Sequence, residues 1–237
     1  MKKIIILLIA SISLFANDLL LQVDKNLQPG SNESYKKLIN IEPDGSRKEF
    51  LIYAAKSGTN KMVSAFLKPE SEKGRTTLRL DDNMWLYLPN VGRAIRITSM
   101  QSVVGGVFNN SDIMRLDFST EYSVEKQEDK GDKYILNLKA KNDTVAYDRL
   151  VMSVDKKTVT PIEIKCYSST EMLIKTIFYK KIQDFGNGIV RPAVIETVSP
   201  FYKGYKSIMV YGKITPKAFP DEAFTIENID KVNDLRK

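Results

Sequence analysis

Most of this chain breaks into short strand-like runs of apolar and β-branched residues, some alternating with polar ones and some apolar on both faces. The runs "SYKKLINI", "RKEFLIYAA", "KMVSAFL", "RTTLRL", "MWLYL" and "RAIRIT" fill residues 34–98. A second series, "FSTEYSVEKQ", "KYILNLKA", "YDRLVMSV", "VTPIEIKCYS", "EMLIKTIFYKKI", "IVRPAVIETVS" and "KSIMVYGKI", fills most of residues 118–214. Short polar turns separate them. In "EPDG" at 42–45, Pro43 presets its own φ, Asp44 can bond forward to the main chain and Gly45 tolerates a positive φ. Around a dozen strands at roughly ten-residue spacing predict an all-β sandwich or a barrel-like sheet. The connections are too short for parallel crossovers, so neighbours pair antiparallel.

Three segments leave this pattern. Residues 17–30, "NDLLLQVDKNLQPG", place Leu19, Leu20, Val23 and Leu27 on one helical face, with Asp18 as cap and Pro29-Gly30 as stop. Residues 99–116, "SMQSVVGGVFNNSDIMRL", show no alternation. Gly105-Gly106 permits unusual backbone angles there, and Asn110 or Ser111 can cap a short helix through Asp112 to Arg115. The tail "TPKAFPDEAFTIENIDKV" offers Phe219 and Phe224 as anchors, with a last short strand or turn.

The stretch "MWLYL" raises a separate question. Met84, Leu86 and Leu88 fall on one side of the strand, Trp85 and Tyr87 on the other. Neither side is polar, so both need cover, by core on one face and by helices or a ligand on the other.

Composition narrows the picture. The 237 residues are 43% hydrophobic and 27% charged, a globular balance without a linker or repeat. The opening "MKKIIILLIASISLFA" has a basic start, an apolar stretch too short to span a bilayer and a small residue at its end. It predicts a secretory signal peptide, residues 1–16, followed by one domain over 17–237. The single cysteine, Cys166, lies far from that segment. Neither a lipid anchor nor an internal disulfide is expected, and the thiol reads as an apolar filler. The expected location is the bacterial periplasm. The net charge of +7 is scattered among acidic residues, which argues against nucleic acid and allows transient contact with an anionic membrane surface.

The chain has no histidine. That excludes Ser-His-Asp and Cys-His catalysis, and with one cysteine it leaves no ligand set for zinc. "VVGGVF" lacks the Lys-Ser/Thr of a phosphate loop. No enzyme, no metal and no cofactor is expected.

"DNMWLYLPNVGRAIRI", preceded by "FLKPESEKGRTTLRL" and "DGSRKEFLIYAAKSGTNKM", resembles the outer-membrane lipoprotein-sorting protein family of the LolA/LolB-like superfamily, as does the closing "FPDEAFTIENI". The likeness runs over the whole mature chain. Its most specific part is Asn83, Trp85, Tyr87 and Pro89, with Arg93 and Arg96 behind them. The resemblance implies a mainly β fold with an α lid: one antiparallel incomplete β-barrel of about ten to twelve strands. An N-terminal helix and a short mid-chain helical segment would cover its open side. It also implies a carrier holding acyl chains of a lipid or lipoprotein in an apolar hollow, working with an inner-membrane exporter. Phe66, Trp85, Tyr87, Ile95, Phe108 and Met114 are then the expected cavity or lid positions, and Arg93 and Arg96 the expected head-group or partner contacts. Many relatives carry Phe-Met-Gly-Ser-Asp-Phe after the hairpin. Here "GGVFNNSDIMRLDF" keeps Gly106, Phe108, Asp112 and Phe118 in a looser arrangement, which implies different cargo. The alternative is a non-catalytic sensor or adaptor module docking on an envelope transporter.

Overall fold

A computed structural model describes residues 17–27 and 29–236. The expected signal peptide, residues 1–16, lies outside them. Helix α1 spans 17–27. Six strands follow: β1 (Asn32–Ile41), β2 (Arg47–Ser57), β3 (Lys61–Lys68), β4 (Thr76–Leu80), β5 (Asn83–Leu88) and β6 (Arg93–Ile97). Two four-residue helices, α2 (Asn110–Ile113) and α3 (Phe118–Glu121), interrupt the sequence. Seven more strands complete the sheet: β7 (Tyr122–Lys130), β8 (Lys133–Ala140), β9 (Arg149–Asp155), β10 (Thr160–Tyr167), β11 (Leu173–Asp184), β12 (Val190–Val198) and β13 (Lys206–Pro216). Short 3-10 segments at Asp221–Phe224 and Ile229–Arg236 close the chain.

All thirteen strands form one sheet in the order β6-β5-β4-β3-β2-β1-β13-β12-β11-β10-β9-β8-β7. Every neighbouring pair is antiparallel, as the short turns require. The chain enters at the centre, meanders out to β6, crosses to the far edge at β7 and meanders back, so that β13 pairs with β1. The edges do not join, which makes this an incomplete barrel, one strand beyond the upper end of the expected count. The first hairpin turn forms as its residues dictate. The Gly45 amide donates to the Glu42 carbonyl at 2.9 Å, the Ser46 amide to Asp44 Oδ1 at 2.9 Å, and Gly45 has φ +84°.

Alternation sorts side chains into an inner and an outer layer. On β2, Phe50, Ile52 and Ala54 face one apolar cluster, while Tyr53 and Ala55 face another. On the outer side, the 3-10 segments lay Ala223, Phe224, Ile229 and Val232 over Tyr53, Val63, Ala65 and Leu78. On the inner side, α1 places Leu19, Leu20, Val23 and Leu27 against Leu136, Leu138, Leu150 and Met152 of β8 and β9. These four leucine and valine positions are the ones that helical spacing selects, and all are buried. Cys166 joins the same cluster as a free, buried thiol whose pKa burial pushes up. No described helix is long and apolar enough to cross a membrane.

Candidate functional site

The segment between β6 and β7 runs across the inner face, and its own apolar side chains fill the hollow. Val103, Phe108, Ile113, Met114 and Leu116 pack with Leu38, Ile52, Phe66, Met84 and Met209 of the sheet. Close approach demands a glycine. A Cβ on Gly106 would stand 2.2 Å from Asn40 Oδ1, so only a residue without a side chain can lie this near β1. Asn40 holds the segment from below, donating to the Val104 carbonyl at 3.2 Å. Ser207 links the two, donating to Asn40 Oδ1 at 2.7 Å and accepting from the Val107 amide at 2.8 Å.

Helix α2 starts one or two residues earlier than the expected caps, Asn110 or Ser111, would place it. Asn109 is the cap: its side chain accepts from the Asp112 amide at 3.0 Å, and Asp112 accepts from the Asn109 amide at 3.1 Å. Helix α3 takes its cap from elsewhere. Asp24, set within the buried stripe of α1, accepts from the amides of Phe118 and Ser119 at 2.7 and 2.8 Å. Burial outweighs these hydrogen bonds and raises the Asp24 pKa to about 6.

Beneath this cover lies a set of buried charges. Glu121 accepts from Arg79 of β4 and, at 3.1 Å, from Arg115. Asp112 pairs with Lys175 of β11 at 2.8 Å and accepts from the Tyr147 hydroxyl at 2.9 Å. Lys56 of β2 meets Asp117 at 3.0 Å. Burial opposes the charge of Asp112, but Lys175 and Arg115 outweigh it and hold its carboxyl below the usual range. The pairs of Arg79, Lys175 and Lys56 each join the sheet to the crossover, while Arg115–Glu121 lies within the crossover, so the cover is fixed in register by charge as well as by apolar contact. Tight coupling of this kind makes removal of one partner costly.

A third set lies on the central strands. The buried positions of β1 are Asn32, Ser34, Lys36, Leu38 and Asn40, so this strand turns a mostly polar face inward. Lys36 and Arg191 of β12, each only 3% exposed, flank the Tyr211 ring of β13, with Nζ 5.2 Å and Cζ 4.1 Å from its centroid. Arg191 also donates to the Leu27 carbonyl at the end of α1. Burial opposes ionisation of Tyr211, but the two cations outweigh it and bring its pKa down to about 8. Reasoning from the sequence missed this set, although one signal was present. Lys36 and Lys37 are adjacent in a strand, so they point to opposite faces, and one of them must point inward.

The residues expected to line the hollow divide. Phe66, Phe108 and Met114 come together in the inner cluster. Trp85 and Tyr87 lie on the outer face, packed against the cluster covered by the 3-10 tail. Ile95 is exposed on the edge strand β6, as are Arg93 and Arg96, the latter donating to Asn83. Both faces of "MWLYL" are therefore approached by other elements, Met84 from within and Trp85 from without.

A groove of about 340 Å³ opens at the rim, where the crossover meets the β10–β11 and β12–β13 turns. Met100, Met172, Phe201 and Tyr202 stand exposed around it, above Val107, Ile174 and Lys175. Four large exposed apolar side chains around one groove form a patch of the kind that marks an interaction site.

Comparison with known proteins gives the fold a family setting. No curated protein matches by sequence. A LolA superfamily protein from Nitrosomonas europaea is 24% identical, with a TM-score of 0.80 over 90% of this chain and 98% of that one. A DUF1329 family protein from Desulfovibrio piger is 22% identical, with a TM-score of 0.78 over 92% and 99%. A domain assigned to outer membrane lipoprotein sorting, from Vibrio parahaemolyticus, is 15% identical, with a TM-score of 0.74 over 90% and 97%. These likenesses establish the LolA-like fold, an open antiparallel sheet with a helical cover. A family model described as "Uncharacterized protein" matches residues 58–231. The chain belongs to that family, and its architecture is LolA-like.

Proposed function

We propose that this chain is a non-catalytic periplasmic carrier of acyl chains, from a lipid or a lipoprotein, in which residues 1–16 direct export and 17–237 form the carrier domain. One observation carries the reading. The hollow is filled by apolar side chains of a crossover, Phe108, Ile113, Met114 and Leu116, that is tied to the sheet by a few buried charge pairs and a few hydrogen bonds, among them those of Asn40 and Ser207. A cover that lifts as a unit would leave an apolar wall including Phe66 and Met84, which a cargo chain can occupy in its place. Burial of each methylene contributes about 0.8 kcal/mol, so a chain of ordinary length offsets the displaced contacts. Trp85 and Tyr87 stand behind that wall, and on this reading Arg93 and Arg96, exposed at the edge, are the contacts for head groups or a partner.

The test is mass spectrometry of organic extracts from the protein purified from its native envelope. An acyl lipid or acylated peptide near one per protein is expected. Protein that carries none, and that takes up no fluorescent fatty acid after solvent extraction, would sink the proposal.

The rim groove favours a second reading, an adaptor that docks on an inner-membrane transporter. On that reading Phe201→Ser breaks a complex with the transporter and leaves fatty-acid uptake unchanged. On the carrier reading alone, no such complex survives lipid removal.

A further inference from the structure

Most buried cations of the inner face have a carboxylate partner. Lys56 has Asp117, Lys175 has Asp112, and Arg79 and Arg115 share Glu121. Lys36 and Arg191 differ. Among the described residues no carboxylate forms an ion pair with either, and what lies between them is the Tyr211 ring and its hydroxyl. Two cavities meet at this point. One, of about 20 Å³, is bounded by Leu27, Arg191 and Tyr211 and, on its far side, by Asp112 and Arg115, whose charges are already paired with Lys175 and Glu121; the other, of about 10 Å³, is bounded by Lys36, Arg191, Tyr211 and Lys56 together with Asn32 and Ser34. Each is roughly the space of one water-sized probe, enough for a small polar group and too small for a bulky one.

We propose that Lys36, Arg191 and the Tyr211 hydroxyl form a binding site for one carboxylate-sized anionic group, held inside the hollow beneath the C-terminal end of α1. The chemistry follows from the donors. An ammonium on β1 and a guanidinium on β12, both buried and set either side of β13, are donors of charge-assisted hydrogen bonds to a carboxylate. The phenol adds a neutral donor, and Asn32 and Ser34 supply polar walls. The field at this point already favours a negative charge, since it draws the Tyr211 hydroxyl towards ionisation and lowers the Lys36 pKa through burial and the nearby Arg191. A bound carboxylate would take over that role and leave the phenol neutral. The carboxylate can come from the head of a fatty acid whose chain lies in the hollow, or from a free small acid. The proposal goes beyond the carrier reading and does not require it.

Isothermal titration calorimetry with myristate, myristyl alcohol and acetate separates the sources. For the native sequence, myristate should bind about tenfold more tightly than the alcohol or better, the scale of one charge-assisted hydrogen bond. In Lys36→Met the gap should close, with affinity for the alcohol unchanged. Saturable acetate binding that Lys36→Met abolishes, with no uptake of either long chain, would support the anion site and overturn the carrier reading instead. Equal affinity for acid and alcohol together with no acetate binding overturns the anion site, and so does a preference for acid that survives Lys36→Met. If Lys36→Met does not fold, Tyr211→Phe keeps the ring between the cations and removes only the hydroxyl. It should weaken acid binding relative to alcohol, and an unchanged ratio overturns the proposal.

Discussion

The two covers of this sheet are held by different forces. Outside, the tail seals β2 to β5 with Phe224, Ile229 and Val232 on Tyr53, Val63, Ala65 and Leu78, an apolar centre whose polar contacts among the described residues, such as Lys61 with Asp221 and Arg236 over Tyr53, include no buried ion pair. Inside, the crossover brings apolar residues too, but it carries Asp112, Asp117 and Glu121 onto cations of the sheet. An apolar seal is tolerant of small shifts and has no alternative that water can offer. A buried ion pair is worth little net when intact, because its attraction is balanced by lost hydration, and is costly when broken by halves. The outer cover therefore suits a permanent wall. The inner one suits a part with a single correct seat and a small net penalty for leaving it whole.

The largest effect that separates these covers should come from Glu121→Gln. It leaves Arg79 and Arg115 buried without their shared carboxylate and should cost about 3–5 kcal/mol in urea denaturation. A loss below about 1 kcal/mol would mean that the charges do not hold the cover. Phe224→Ala should cost about 3 kcal/mol, the low end for a buried phenylalanine, since a short 3-10 segment can settle into the space left. It should leave fatty-acid uptake unchanged. Uptake that falls with it would dissolve the distinction between the two covers.

The link between α1 and α3 gives a pH test. The folded pKa of Asp24 is about 6 against an ordinary value of 3.8. Between those values the folded chain holds a proton that the unfolded chain has released. Stability from this group is thus full below pH 3.8 and is lost as pH rises through about 6. Two units correspond to about 3 kcal/mol at most. Asp24→Asn cannot titrate, so its stability relative to the native sequence should rise across that window, measured by denaturation at matched pH. A flat difference would show that the amide bonds of Phe118 and Ser119 keep the carboxylate charged throughout. The smallest effect belongs to the exposed edge. Arg93→Ala with Arg96→Ala should change stability by no more than about 0.5 kcal/mol. A larger loss would show that these residues support the fold, leaving them unsuitable as a free contact surface.

The sheet was readable because strand pattern is local. Alternation in "KYILNLKA", and the turn chemistry of Pro43 to Gly45, each determine a nearby shape. The face of α1 was readable for the same reason, down to Leu19, Leu20, Val23 and Leu27. The crossover was visible only as an interruption of the pattern, with its glycines marked but not the reason for Gly106, which depends on Asn40 some sixty residues away. The charge pairs were not readable. The adjacent Lys36 and Lys37 of "SYKKLINI" show by parity that one cation faces inward, but Arg79 of "TTLRL" carries no such sign, and its meeting with Glu121 depends on how the irregular segment folds over the sheet. Trp85 and Tyr87 reached the outer layer because parity fixes only that they oppose Met84, not which side is the hollow.

The crossover is tethered to β6 at one end and β7 at the other, and these are the two unpaired margins of the sheet. It acts as a strap across the mouth of an open cuff. Its height above the floor and the gap between the margins are one variable, because a strap of fixed length must flatten as its anchor points move apart. A molecule that pairs along either free margin, where amides and carbonyls stand ready for another strand, would thereby act on the lid from outside the hollow without touching its contents.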